Sequence, residues 1–216
     1  MGVIGNCSYL AYIDTQADVK WMCLPRFDSS FLLGSLLDEE NGGHFFVRPT
    51  DGAYTSRQYY ITNTNVLCTE FTGPDGRFVV KDCAPRMRIY ERQFRPLMLV
   101  RKIESLEGTP EITICCQPRG DYGKQVPESV IASNHIRYLN LDQQVRLTTD
   151  VPLTYILKGK PFILDQDRYL VLTYGEPLEA PLKETAEEFI RKTVADWQTW
   201  VKSCYLPDIY QDEIIR

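Results

Sequence analysis

Histidine is nearly missing: only His44 and His135 occur in 216 residues. There is no H-x-x-x-H or C-x-x-C spacing, so no familiar framework for a metal ion can be read, and no Cys–His nucleophile is marked out. No G-x-S-x-G elbow, phosphate loop or dinucleotide fingerprint appears; residues 2–6 are too short and too early to be one. No apolar run approaches the roughly 20 residues that a membrane helix needs. The start lacks a secretory apolar core, and Asn6 stands where myristoylation wants Ser or Thr. Basic residues are not in excess: 24 against 29 acidic ones give a net charge of -5, without the basic stripe a nucleic acid requires. Seven cysteines, two of them adjacent (Cys115 and Cys116), predict reduced thiols in a cytoplasm. There is no internal repeat and no low-complexity segment.

What is present is ordinary globular stock, 44% hydrophobic and 25% charged, with enough length to bury a sizeable core. Thirteen tyrosines suit strands first and sugar contact second. Up to about residue 174 short alternating runs are separated by turns. Residues 8–13 and 20–24 read as a hairpin, stopped by Pro25. Ser30 is placed to cap a short helix through Leu37, ended by Gly42-Gly43 before a strand at 44–47. Residues 66–71 and 78–82 flank Gly73-Pro74-Asp75-Gly76, a hairpin turn in which Pro presets φ and Gly takes the unusual backbone angles. Strands follow at 97–103, 111–116, 135–139, 145–149, 153–157 and 168–172. Such spacing predicts a mainly β fold, a large antiparallel β-sandwich over residues 1–178.

The period then changes. Ala186, Phe189, Ile190, Val194, Trp197, Val201 and Cys204 recur at three-four spacing, so residues 179–206 are expected to hold a linker helix, with Thr185 and Glu188 as a capping box and Pro207 as its stop. Residues 207–216 look like the opening of a further helix left incomplete.

Several segments resemble, in order, the N-terminal region of family-15 glycoside hydrolases, the glucoamylase, glucodextranase and trehalase type. They are Trp21-Met22-Cys23-Leu24-Pro25-Arg26-Phe27-Asp28-Ser29, Leu36-Leu37-Asp38-Glu39-Glu40-Asn41-Gly42-Gly43, Thr62-Asn63-Thr64-Asn65-Val66-Leu67, Val80-Lys81-Asp82-Cys83-Ala84-Pro85-Arg86, Leu99-Val100-Arg101-Lys102-Ile103-Glu104 and Pro118-Arg119-Gly120-Asp121-Tyr122-Gly123, where Gly120 replaces the usual aromatic. The resemblance implies a β-sandwich beside an (α/α)6 barrel that carries two catalytic glutamates. These act by inversion, with carboxyls roughly 6.5–9.5 Å apart to admit water. On this reading residues 207–216 begin the barrel's first helix, the chain ends before either glutamate, and its role is that of a scaffold without a catalytic residue of its own. Its partners would be that barrel and an α-glucan or trehalose-type substrate, with no metal or organic cofactor, nucleic acid or membrane.

Residues 21–29 are the first choice for contact with substrate or barrel. Trp21 and Phe27 offer aromatic faces, Arg26 a forked donor and Asp28 a carboxylate, on a loop tightened by Pro25. The plainer alternative puts Trp21 and Phe27 in the core and pairs Arg26 with Asp28. Arg119, Asp121 and Tyr122 form a second candidate, either a domain contact or simply a turn in which Gly120 and Gly123 supply free φ and Asp121 caps an amide. Asp38-Glu39-Glu40 reads as a solvated helix end, and Asp165 with Asp167 as a polar turn. Trp197, Trp200 and Tyr205 are expected to pin the helix against the sandwich or the barrel, leaving a face on which two copies could pair. Rival roles are an interaction domain without ligand contact and an autonomous glucan-binding module, the latter requiring a coplanar row of exposed aromatics.

Overall fold

The computed structural model describes residues 1–205 and residue 209. Strands run in chain order as β1 (Gly2–Gly5), β2 (Leu10–Ile13), β3 (Val19–Cys23), β4 (Phe31–Leu33), β5 (His44–Pro49), β6 (Thr55–Tyr60), β7 (Leu67–Gly73), β8 (Gly76–Cys83), β9 (Met87–Ile89), β10 (Arg92–Phe94), β11 (Met98–Gly108), β12 (Glu111–Gln117), β13 (Glu128–Ile131), β14 (His135–Leu139), β15 (Val145–Thr149), β16 (Phe162–Ile163) and β17 (Arg168–Tyr174). Two α-helices, α1 (Leu153–Lys158) and α2 (Leu182–Ser203), and a single 3-10 turn at Asp121–Gly123 complete the described elements. The fold is mainly β and antiparallel, as expected.

One layer is an eight-stranded sheet in the order β13-β14-β15-β17-β11-β8-β7-β6. The other combines the four-stranded β1-β2-β3-β4 and the three-stranded β16-β12-β5, linked by a bridge between Asp18 and Phe46. Alternation along the strands decides which side chains meet. Ile4, Ala11, Met22, Phe45, Phe78, Leu99, Leu147 and Leu172 belong to one buried core between the layers. On the other face of the large sheet, Val66, Cys83, Met98, Val100, Tyr169 and Val171 form a second core with Ala186 and Ile190 of α2. The middle of the large sheet is therefore covered on both faces, which explains the near-continuous burial of β17.

The β7–β8 hairpin pairs Gly73 with Gly76 across Pro74-Asp75. A Cβ on Gly76 would collide with the carbonyl oxygen of Glu107, so the turn needs glycine for space as well as angle.

Three local expectations are corrected. Residues 31–33 are a buried strand paired with β3, not a helix; a short apolar run carries no period that separates the two. Residues 153–158 are a helix, with Leu153 and Ile156 inward and Gly159 in the left-handed conformation closing its end. The turn at 107–110 carries the chain from β11 in the large sheet to β12 in the opposite layer. The capping box does not form: α2 starts at Leu182 after Pro181, and the Thr185 hydroxyl donates back to the Pro181 carbonyl at 2.6 Å. Glu188 instead pairs with Lys192 at 2.7 Å. The expected helix start at 207–216, and Pro207 as a stop, lie outside the described residues; α2 itself ends at Ser203.

Candidate functional site

Residues 21–29 leave β3 at Cys23, pass a cis Leu24-Pro25 bond and turn back at Ser29, whose hydroxyl accepts the Arg26 amide at 3.2 Å. Arg26 and Asp28 form a bidentate pair, 2.9 and 2.8 Å, on the exposed loop. This bears out the plainer pairing for Arg26. Phe27, however, is not core; it is 55% exposed. Trp21 is half-buried on the outer face of the four-stranded sheet, directly across from Tyr12. Leu10, Tyr12, Trp21, Cys23 and Phe27 enclose a hollow of about 140 Å³. Pro25 borders a larger cleft of about 1070 Å³, shared with Phe94, Arg95 and the first turns of α2.

The second candidate lies beside the first. Phe31 sits between Trp21 (ring centroids 5.7 Å apart, 52° between planes) and Tyr122 (6.1 Å, 88°). The Tyr122 amide donates to Ser30 Oγ at 2.7 Å, and the Arg119 amide donates to the Leu32 carbonyl at 2.9 Å, fastening the two segments. The turn is not the one expected. Gly120 is extended (φ -121), and positive φ falls on Asp121 (43), Tyr122 (53) and Gly123 (88). Left-handed backbone at two non-glycine residues costs about 1–2 kcal/mol each; the exposed Tyr122 ring is presented by that turn. A Cβ on Gly120 would meet the ends of the Leu141 and Gln125 side chains, which would have to shift to admit a larger residue. Asp121 makes no capping bond; its side chain is 3.9 Å from Lys124.

Trp197 and Trp200 lie apart from this end, on α2. Arg86 stacks over Trp197 at 4.0 Å and donates to Asp196 at 2.6 Å, while Gln93 reaches the same carboxylate at 3.0 Å. Trp197 is thus held against the Arg86 side chain. Trp200 meets it edge-on at 5.6 Å and remains 44% exposed, and Tyr205 is fully exposed. Further along α2, Glu187 accepts from Lys102 (2.8 Å) and from the Tyr169 hydroxyl (2.6 Å). Burial works against the Lys102 charge, yet Glu187 and Asp167 outweigh it and raise that ammonium's pKa.

The carboxylate run is a solvated turn. Asp38 accepts from the amides of Glu40 and Asn41, which hold its carboxyl below the ordinary value. His44 bridges Asp18 (3.0 Å) and the Glu39 carbonyl (2.8 Å). All seven cysteines are free thiols. Missing from the sequence reading were Arg86, Asp196 and the fully buried pair Asp82–Arg101. For Asp82 and Arg101 the one signal was charge inside apolar strands; Arg86, beyond the end of β8, and Asp196, on α2, carried none.

The family described as trehalase-like, N-terminal matches residues 1–153. The chain is 33% identical to a trehalase of Thermoplasma volcanium, covering 100% of this chain and 35% of that protein. It is 31% identical to Trehalase 1 of Sulfolobus acidocaldarius (94% and 34%) and 22% identical to a trehalase of Mycolicibacterium smegmatis (96% and 35%). The chain thus spans about a third of the length of these relatives. No solved structure gives a significant match. The order of motifs noted in the sequence and these comparisons point the same way.

Proposed function

Because the chain belongs to the trehalase-like N-terminal family, we propose that it is the non-catalytic scaffold domain of an inverting α-glucoside hydrolase, acting on trehalose or a related glucoside. The observation that carries this is coverage: a relative 33% identical over the whole of this chain is matched over only 35% of its own length. The remaining two-thirds of such a protein would be the (α/α)6 barrel, and this chain would pack beside it, with residues 1–178 as the sandwich and 179–206 as the linker. Trp21, Pro25, Arg26, Phe27 and Asp28 would face the barrel's mouth, with Arg119, Asp121 and Tyr122 next to them. Trp197 and Trp200 would lie along the linker contact, the face on which two copies would pair if the barrel were absent. Two features favour docking over an autonomous sugar platform. Rings tilted by 52° and 88° pack as protein interiors do, whereas a glucan lies along coplanar ones. The Arg26–Asp28 fork is already closed on itself at the surface and would open to a partner. Unpaired thiols suit a cytoplasm.

In the intact hydrolase Arg26→Ala should lower kcat/KM for trehalose more than tenfold; an unchanged value removes the loop from the active-site mouth. The purified 216-residue chain should release no glucose from trehalose. Release that scales with protein and is lost on heating would refute the scaffold role.

A further inference from the structure

His44, the first residue of β5, meets an acceptor at each ring nitrogen. Nδ1 lies 3.0 Å from Asp18 Oδ2, and Nε2 lies 2.8 Å from the Glu39 carbonyl oxygen. A carbonyl and a carboxylate only accept, and a neutral imidazole has one N–H to give. Both bonds are made together only by the imidazolium. Asp18 is buried and held as an acceptor, taking the Phe45 amide at 3.2 Å on Oδ1 and the Lys20 ammonium at 3.0 Å on Oδ2. Other charged or titratable groups stand around this pair. Asp14 reaches Lys20 at 3.7 Å, and Arg48 lies over the Phe46 ring, whose edge faces His44. From the β12 side come the Cys115 thiol, near Asp18, and the Arg119 side chain, which borders Gly43. Of all these, Asp18 is the group that bonds the ring.

The Glu39 carbonyl sits at the tip of a turn whose other bonds run mostly within it. Asp38 accepts from the amides of Glu40 and Asn41, the Gly42 amide donates to the Asp38 carbonyl at 2.8 Å, and the Gly34 amide donates to the Gly42 carbonyl at 2.7 Å. The His44 ring ties that tip to Asp18, in the corner between β2 and β3. The turn in its own right supports the Tyr122 segment. A Cβ on Gly123 would stand 3.1 Å from the Asn41 carbonyl oxygen and 3.4 Å from the Phe31 ring.

We propose that His44 is a proton-operated latch: as the imidazolium it clasps the 38–42 turn to Asp18 and so steadies the Tyr122 segment, and on losing a proton it lets that turn go. Histidine is the side chain suited to such a change between about pH 5 and 8. The neutral ring keeps its one N–H on Asp18, because a charged acceptor holds a donor more strongly than a carbonyl does. The bare Nε2 lone pair then faces the Glu39 carbonyl oxygen, and two acceptors repel. The stability of the closed turn is present while the ring is protonated and is lost as pH rises. The latch does not depend on what the Tyr122 face meets, so it stands apart from the scaffold role.

Two measurements on the 216-residue chain test this. Nitrogen NMR of the histidine rings, with His135→Gln to assign the two signals, should show both His44 nitrogens protonated at pH 5.5 and one at pH 8.5. Amide exchange at residues 39–42, divided by the intrinsic rate at each pH, should be about tenfold faster at pH 8.5, as the loss of one charge-assisted hydrogen bond predicts. Exchange in β8 and β11 should not change between the two. In His44→Gln, whose amide does not titrate, the pH dependence at 39–42 should disappear. Should that variant fail to fold, the ring state and the exchange ratio of the wild type decide alone. A neutral His44 ring at pH 5.5, equal protection at the two pH values, or a dependence that survives His44→Gln overturns the latch.

Discussion

Arg101 is wholly buried, yet it is an arginine in the middle of a sandwich. Its Nε donates to Asp82 at 2.6 Å, and its terminal nitrogens donate to the carbonyls of Phe45 and Ala17, both at 2.6 Å, and again to Asp82 at 3.2 Å. Asp82 and Arg101 lie on β8 and β11 of the large sheet, whereas Phe45 and Ala17 belong to the opposite layer. One side chain therefore ties the two layers at a fixed register. Burial raises the Asp82 carboxyl from its ordinary value, and the guanidinium beside it pulls the other way. Arg101→Met would strand that carboxylate in the core, at a cost of about 3–5 kcal/mol. Arg101→Met with Asp82→Leu should be markedly milder, since neither charge is left alone. Urea midpoints of the wild type, each single variant and the pair check this; a single-variant loss below about 1 kcal/mol would mean that the pair is not a clamp. Sequence gave notice of charge in apolar strands at both positions, but Arg101-Lys102 are consecutive, and alternation alone does not say which faces inward.

Helix α2 is held on the large sheet by two polar knots as well as by apolar contact. Glu187 with Lys102 and Tyr169 fastens its first half, and Asp196 with Arg86 and Gln93 its second. Burial pushes the Glu187 carboxyl up, but the bonds from Lys102 and Tyr169 prevail and its pKa is lowered. A depressed folded-state value means stability present above the unfolded glutamate pKa of about 4.3 and lost as pH falls through the lower folded value. Amide exchange within α2 should accelerate over that acid window, and Glu187→Gln should flatten the dependence. An unchanged profile in the variant would remove Glu187 as the source of the dependence. The helix was legible because its three-four period spans many turns. The β7–β8 hairpin was legible because Gly73-Pro74-Asp75-Gly76 announces it. The β9–β10 hairpin was not: its turn residues, Tyr90 (φ 46) and Glu91 (φ 64), are neither Gly, Asn nor Pro. Likewise the meeting of Trp21 with Tyr122 through Phe31 depends on segments a hundred residues apart, which no local pattern links.

Across the whole molecule the two cores are separable in principle, because they lie on opposite faces of one sheet and only the outer one depends on α2. The thiols report on each. Cys7 is exposed and Cys204 half-buried, while Cys23, Cys68, Cys83, Cys115 and Cys116 are buried. Burial pushes the thiols of Cys68, Cys83 and Cys116 up to about 12 and that of Cys115 up to about 11. Since the thiolate is the reactive form, native chain treated with a thiol reagent near pH 8 should label Cys7 first and Cys204 next, leaving the other five protected. Cys83 lies under α2 and Cys116 between the layers. Ile190→Asp places a carboxylate in the outer core alone, so it should raise the labelling rate of Cys83 at least tenfold while Cys116 stays protected, as expected for local rather than global opening. Peptide-resolved mass spectrometry of the labelled chain separates the two sites. Equal acceleration at Cys83 and Cys116 would show that the helix and the sandwich open together as one cooperative unit.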